Sequence, residues 1–319
     1  MIVWHDGEYV ELDERRSAIA IGVFDGLHRG HQRVLERTRA LSREHGSRLA
    51  VVTFFPHPML TVHPERAPAA IDRLDQRLEG FERLGVELVR VLHFDELLAL
   101  ESADSFVERV LVHDLRAADV VVGQDFRYGH DRAGDIGTLT RAGLLDDFRV
   151  HALTLAGDEH RWSSTAIRRA VQSGAVTRAR TVLGRPFTLR ASVVAGDARG
   201  RTLGFPTANL ALEPAQLCPG IGIYATAVRT PDNQWWAGAT SVGRRPQFYD
   251  NAAQLVEVHL VDFDGDLYGR TIDVAFLERL RDEAIYASLE DLIAQIGRDV
   301  ARSRELFATS HPSSWTLLG

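Results

Sequence analysis

The sequence predicts an α/β half built on a parallel sheet, followed by a small antiparallel β-barrel with one C-terminal helix. From Ala18 to about residue 180, short apolar runs alternate with amphipathic stretches of helical length, the rhythm of successive βαβ units. After Leu183-Gly184-Arg185-Pro186, strand-like runs follow one another through short turns, with no helical stretch until Ser288 to Leu306. A length of 319 residues suffices for two cores. Strand rhythm alone would also allow a sandwich in the second half.

In the first half the predicted strands are Ala18 to Phe24, Leu49 to Phe54, Leu88 to Phe94, Ala118 to Gly123 and Val150 to Leu155. The predicted helices between them are Gln32 to Glu44, Arg73 to Leu84, Ser105 to Leu115 and Asp135 to Leu145. Ligands of such sheets gather at the carboxyl ends of the strands, which points to the loops after Phe24, Phe54 and Gly123. In the second half the predicted strands are Phe187 to Val194, Gly222 to Val228, Trp236 to Val242, Leu255 to Asp262 and Thr271 to Phe276. His311 to Gly319 lacks periodicity and reads as a loose tail. The domains are thus expected at 1–182 and 183–310, with a tail at 311–319.

A net charge of −7 argues against a general nucleic-acid binder, but a local basic pocket remains compatible with it. The single cysteine, Cys218, excludes an internal disulfide and a cysteine-based zinc site. The N-terminus lacks the basic and apolar regions of a signal peptide, and no apolar run approaches a membrane span. The expectation is a cytoplasmic protein with no nucleic-acid or membrane partner, monomeric or weakly self-associating.

Ile19 to Phe24 is followed at once by Asp25-Gly26-Leu27-His28-Arg29-Gly30-His31. This order reads as strand, tight loop and helix. A helix N-terminus offers free N–H groups and partial positive charge to an anion, and glycines allow close approach. His28 and His31 add donors where a polyphosphate would sit. Three further segments follow strands or open a helix. Thr53-Phe54-Phe55-Pro56-His57-Pro58 ends the second strand; Gly123-Gln124-Asp125-Phe126-Arg127-Tyr128-Gly129 ends the fourth; Ser163-Ser164-Thr165-Ala166-Ile167-Arg168 starts a helix. Taken singly, His57 reads as structural, Asp125 as a turn residue and the hydroxyls as caps.

Together these segments resemble the bifunctional riboflavin kinase/FAD synthetases of bacteria, from about Ile19 to Leu306, with a nucleotidylyltransferase domain of Rossmann-like sheet first. The resemblance implies that this half transfers AMP from ATP to the phosphate of FMN and releases pyrophosphate. It places Gly22, Phe24, Asp25 and Gly26 with His28 and His31 around the ATP phosphates. It gives Ser164, Thr165 and Arg168 the β- and γ-phosphates, and makes Asp125, Phe126 and Arg127 candidate flavin or nucleotide contacts. Mg²⁺ and ATP are the implied cofactor and co-substrate. Phe55 stands where the family usually has an acidic residue, so a kinase with an altered first half is the alternative.

In the second half, Val194 to Leu210 carries Gly196, Gly200 and Gly204, two arginines that include Arg201, and the tetrad Pro206-Thr207-Ala208-Asn209. Glycine spacing alone would fit a hairpin loop; the tetrad is similar to the flavokinase signature. That likeness implies that Thr207 and Asn209 hold Mg²⁺ and phosphates while the loop with Gly196, Arg201 and Gly204 covers the nucleotide. The lysine of a Walker motif is absent. Glu257 lies in the alternating run Val256-Glu257-Val258-His259-Leu260, where a lone glutamate would ordinarily be a solvated face. The family's catalytic glutamate occupies this place, as acceptor of the riboflavin 5′-hydroxyl proton. Arg281 is a candidate flavin or ATP contact. Gln247 and Asp282 stand where threonine and proline are usual. Other nucleotidylyltransferases would explain the first half but not the tetrad or Glu257, and a non-enzymatic flavin binder would need neither histidine pair nor proton acceptor.

Overall fold

The structure, a computed structural model, describes residues 1–154, 162–196, 199–244, 254–310 and 315, the side chains of Arg199 and Arg201 excepted. The described chain divides into two compact units, Met1–Ala70 with Leu74–Ser163, and Ile71–Arg73 with Ser164–Leu317.

The first unit is built on six parallel strands: β1 (Ile2–His5), β2 (Ser17–Ile21), β3 (Arg48–Phe55), β4 (Leu88–His93), β5 (Ala117–Gly123) and β6 (Arg149–Leu153), in the order β1-β4-β3-β2-β5-β6. The central strand β2 is buried along its whole length, as expected of a strand covered on both faces. Four predicted strands match observed ones to within two residues, with Leu155 outside the described residues; the edge strand β1 was not predicted. The strand predicted as Ala18 to Phe24 ends at Ile21, because Phe24 turns into the left-handed region (φ 55°). The helix Arg29–His45 packs on β2 and β5 through Val34, Leu35, Thr38 and Leu41, and ends at Gly46 with φ 62°. The helix predicted over Ser105 to Leu115 is a short α-helix, Ala103–Phe106, running into a π-helical stretch, Val107–Asp114.

The second unit is a closed antiparallel barrel. Its strands are β7 (Phe187–Val194), β8 (Ala208–Ala211), β9 (Gly222–Arg229), β10 (Trp235–Arg244), β11 (Gln254–Leu260) and β12 (Thr271–Arg281), ordered β10-β11-β8-β7-β12-β9. Closure resolves the barrel–sandwich alternative. The strand β8, which begins inside the tetrad and runs past it, was not predicted, nor was the helical turn Arg199–Thr202. Ser164–Gln172 and Val176–Leu183 form a helix pair grouped with the barrel, and Leu289–Ser310 is the C-terminal helix. Three barrel strands are tied by Asp273 of β12, which accepts from Arg190 of β7 (2.7 and 3.0 Å) and from Arg229 of β9. Burial alone would raise the Asp273 carboxyl, but the two guanidinia outweigh it and hold the group below the usual carboxylate range. Cys218 is buried in this unit, and burial pushes its thiol up to about 12. Of the segment predicted as a tail, Trp315 is described: it meets the Trp235 ring edge-on at 5.2 Å and donates to Ser310 O at 2.8 Å.

Candidate active sites

In the first unit, β2 has β3 on one side and β5 on the other. Chain order reverses here, the place where open α/β sheets bind ligands. After β2 the chain passes through positive φ at Phe24 (55°), Gly26 (88°) and Leu27 (41°). Such backbone at Phe24 and Leu27 is uncommon and needs support. Both side chains are buried, and the Phe24 ring meets Phe81 and His31 edge-on at 5.6 and 5.2 Å. Thr53 Oγ1 and Arg77 Nη1 both donate to Val23 O, at 3.1 and 2.7 Å. His28 then caps the helix, its Nδ1 accepting from His31 N at 3.3 Å.

The His28 and His31 rings stack with centroids 3.6 Å apart. Gly30 leaves room for this, since a Cβ there would stand 3.1 Å from the His28 ring. His31 Nδ1 is buried without a hydrogen-bond partner among the described residues. Burial first, then the neighbouring His28 and Arg77, push the His31 imidazole well below its usual range. His31 is therefore neutral near pH 7, with a proton to donate from one nitrogen.

Gly22 and Asp25 lie in this loop, Asp25 buried. On the neighbouring loop after β5, Asp125 and Arg127 are exposed, and Phe126 stacks on Tyr128 at 5.4 Å. Ser164, Thr165 and Arg168 open the helix Ser164–Gln172 of the second unit. His57 has the structural role expected of it, capping Pro58–Val62 by accepting from Met59 N at 3.1 Å. Phe55 is 44% exposed at the end of β3. It lines a cavity of about 900 Å³ at the carboxyl ends of β1, β3 and β4, with His93, Asp95, Glu101 and Arg109. The histidine loop does not line that cavity; Phe55, after the second predicted strand, is the lining residue that the sequence had singled out.

In the second unit, Val256, Val258 and Leu260 of β11 face the barrel core, so Leu255, Glu257 and His259 face outward. On that flank a cavity of about 660 Å³ is lined by Thr207, Asn209, Glu257 and Arg281, all singled out in the sequence, together with Ser241, His259, Tyr286 and Asp299. Register explains the convergence: Glu257 sits opposite Asn209 of β8 and Ser241 of β10. Asn209 is buried, and a Cβ on Gly196 would come within 2.1 Å of its Nδ2. The glycine loop thus closes over the amide as only a glycine allows. Gly204 turns with φ 85°. The Arg201 side chain and Gln247 lie outside the described residues. His259 Nδ1 is 2.8 Å from Pro206 O, which fixes the tetrad against β11.

Sequence reasoning missed Asp299. It lies on the C-terminal helix, and its carboxylate accepts from Arg281 Nε (3.0 Å) and Nη2 (2.7 Å). The same helix lends Leu292 and Ile296 to the cavity wall. Asp282 pairs with Arg279 at 2.5 Å and is not among the lining residues. Among the described residues no cluster of three His, Cys, Asp or Glu side chains is placed to hold a metal ion. A divalent cation here would depend on the Thr207 hydroxyl, the Asn209 amide oxygen and the nucleotide's own phosphates. That sparse set of hard oxygens suits Mg²⁺, which keeps several of its waters.

Comparison with known proteins matches the two halves of the chain to two families. The FAD synthetase family matches residues 10–166 and the riboflavin kinase family residues 183–307. The bifunctional riboflavin kinase/FMN adenylyltransferase of Escherichia coli K12 is 38% identical over 296 residues, covering 92% of this chain and 94% of that protein. The proteins of that name from Pseudomonas fluorescens and Bacillus subtilis are 41% and 32% identical, over 93% and 96% of this chain and 95% and 97% of theirs. A crystal structure described as a macrolide-efflux protein from Streptococcus pneumoniae has the same fold, with a TM-score of 0.84 and 30% identity over 95% of this chain and 99% of that one. Among the described residues, no helix here is long and apolar enough to cross a membrane. Two family matches in tandem, and relatives alike across nearly their whole length, place the chain in the bifunctional riboflavin kinase/FMN adenylyltransferase family.

Proposed function

We infer that this chain makes both flavin cofactors, phosphorylating riboflavin to FMN on the barrel and adenylylating FMN to FAD at the histidine loop. The observation that carries the reading is the barrel-flank cavity, where Glu257, Asn209, Thr207 and Arg281 meet although they span much of the second unit's sequence. Both family matches are present, and neither favours the alternative of a kinase with an altered first half. The functional division is at 182/183, and the cellular location is the cytoplasm, which suits a chain with one buried thiol.

At the barrel, Glu257 accepts the proton of the riboflavin 5′-hydroxyl as that oxygen attacks the γ-phosphorus of ATP and ADP leaves. Asn209 and Thr207 hold the phosphates and Mg²⁺, and the loop with Gly196, Arg201 and Gly204 covers the nucleotide. The cation supplies charge neutralisation on the transferred phosphoryl group. Arg281, held by Asp299, borders the flavin side beside Tyr286.

At the histidine loop, a phosphate oxygen of FMN attacks the α-phosphorus of ATP in line and pyrophosphate leaves. Such a step needs positioning and charge neutralisation more than covalent catalysis. His28 and His31 donate to the phosphates as charge grows, next to the loop Gly22 to Gly26. Neutral His31 enters as a hydrogen-bond donor, and the arriving anion supplies the countercharge that its surroundings lack. By family likeness, Ser164, Thr165 and Arg168 take the β- and γ-phosphates, and Asp125, Phe126 and Arg127 the flavin or nucleotide. Riboflavin, FMN and ATP are then the small-molecule partners, on a monomer or weak homo-oligomer without nucleic acid.

The test is to incubate the purified chain with riboflavin, ATP and Mg²⁺ and to separate flavins chromatographically over time. FMN followed by FAD is the expected course. FMN that never becomes FAD would remove the first activity and direct attention to Phe55.

A further inference from the structure

Asp119 lies near the start of β5, at the amino edge of the parallel sheet, opposite the edge that carries the histidine loop. Its side chain is wholly buried and yet charged. Arg149 of β6 donates to both carboxylate oxygens at 2.9 Å. His151 Nε2, on the same face of β6, is 2.8 Å from Oδ1. His45 Nδ1, from the last turn of the helix Arg29–His45, is 2.8 Å from Oδ2 and 2.7 Å from Arg149 Nη2. Glu44 faces His45 Nε2 at 3.8 Å. Burial would raise the Asp119 carboxyl, but Arg149, His151 and His45 outweigh it and hold it below the usual range.

This cluster is absent from the chemistry of either site, but it holds the far end of the helix whose first turn carries His28 and His31. A helix of 17 residues is a rod of about 25 Å. Its buried apolar side chains are Val34, Leu35 and Leu41, beside Gln32, Thr38 and Ser42, which bond to Leu27 O, Val34 O and Ser47 O within the helix and its flanking loops; the apolar contacts are non-directional. They oppose separation from the sheet more than sliding along it. With the hydrogen on Nδ1, His45 donates to Asp119 and supplies a directional anchor, the Arg149 Nη2 approach then being a contact and not a hydrogen bond, and Arg149 and His151 fix the carboxylate that receives it.

We propose that His45, anchored on Asp119, is a positioning residue for FMN adenylylation, setting the placement of helix Arg29–His45 along β2 and β5 and thereby of His28 and His31 against the α-phosphorus. The inference rests on the assignment of adenylylation to the histidine loop. A misplacement of about 1 Å at a reacting group can cost on the order of 100-fold in rate, so a partial loss of anchoring has a measurable cost.

The experiment uses the full chain, whose riboflavin kinase activity is an internal reference, with rates taken per folded molecule from circular dichroism. His45→Ala is expected to lower kcat for FMN adenylylation about 10-fold, with KM for ATP and the kinase rate within about twofold of the parent. His45→Gln, whose amide N–H can reach Asp119, is expected to recover most of that loss. Should His45→Ala fail to fold, Asp119→Asn takes its place with the same expected split. An unchanged adenylylation rate, an equal loss of both activities, or a Gln variant no better than Ala would each overturn the proposal. His28→Ala, measured alongside, separates the two inferences. If it leaves adenylylation intact, the histidine-loop assignment fails; if it abolishes adenylylation while His45→Ala changes nothing, only the positioning role fails.

Discussion

At His31 two requirements oppose each other: the ring is packed inside, stacked on His28 with Phe24 edge-on to it, and the proposed function asks it to meet a polyphosphate. Burial favours the neutral ring in the folded chain. The sign of the stability effect follows. In the folded chain the His31 imidazole lies well below its usual range, whereas the unfolded chain takes up its proton near pH 6.5. Below about pH 6.5 the unfolded state thus binds a proton that the folded state refuses, and stability falls with acidification down to the folded value. This group alone accounts for at most about 1.4 kcal/mol per pH unit. Thermal melts from pH 7.5 to 5.5 should show a smaller acid decline in His31→Gln than in the parent, and equal slopes would contradict neutral burial. Glu257→Gln should lower FMN formation on the order of 100-fold or more while conversion of supplied FMN to FAD continues, as read by chromatography.

Among the elements, the strand register determines which side chains meet. The tetrad was legible as a local signature and Glu257 only through the family resemblance; that they share a cavity follows from Glu257 pairing with Asn209, a contact between segments far apart in sequence. Asp299 was not legible for the same reason: one acidic residue on an amphipathic helix gives no sign that a strand arginine will find it. The strand β8 was missed because Pro206-Thr207-Ala208-Asn209 has turn-like composition, and only its neighbours β7 and β11 make it a strand. The βαβ rhythm, by contrast, was readable from apolar runs alone, and the early end of β2 was not, because Phe24 in the left-handed region breaks its residue type's preference. Gly196→Ala places a methyl group where the Asn209 amide now lies, and is expected to lower kinase kcat/KM at least 10-fold with the barrel still folded. Asp273→Asn leaves Arg190 and Arg229 without their common carboxylate, and should cost about 3 kcal/mol by denaturant titration. Because the Asp273 carboxyl is held low, its contribution is present above about pH 4 and fades as pH falls through the folded value.

For the molecule as a whole, the proposed sites place Glu257 and the histidine pair in different compact units, so lesions at these residues should segregate by activity. The barrel also carries a built-in reporter. Cys218 is the chain's one thiol, enclosed in the second unit with its ionisation suppressed up to about 12, and only the thiolate attacks thiol reagents. An aromatic disulfide reagent added to the native enzyme should therefore react only as fast as the barrel opens, giving a stopwatch for that unit while the parallel sheet stays invisible to it. Riboflavin with ADP should slow the clock, and FMN-site lesions such as His28→Ala should leave its rate alone. The same enclosure means that air oxidation cannot staple two copies together without first unfolding the barrel, so covalent dimers in an aged sample would date past excursions of this one unit.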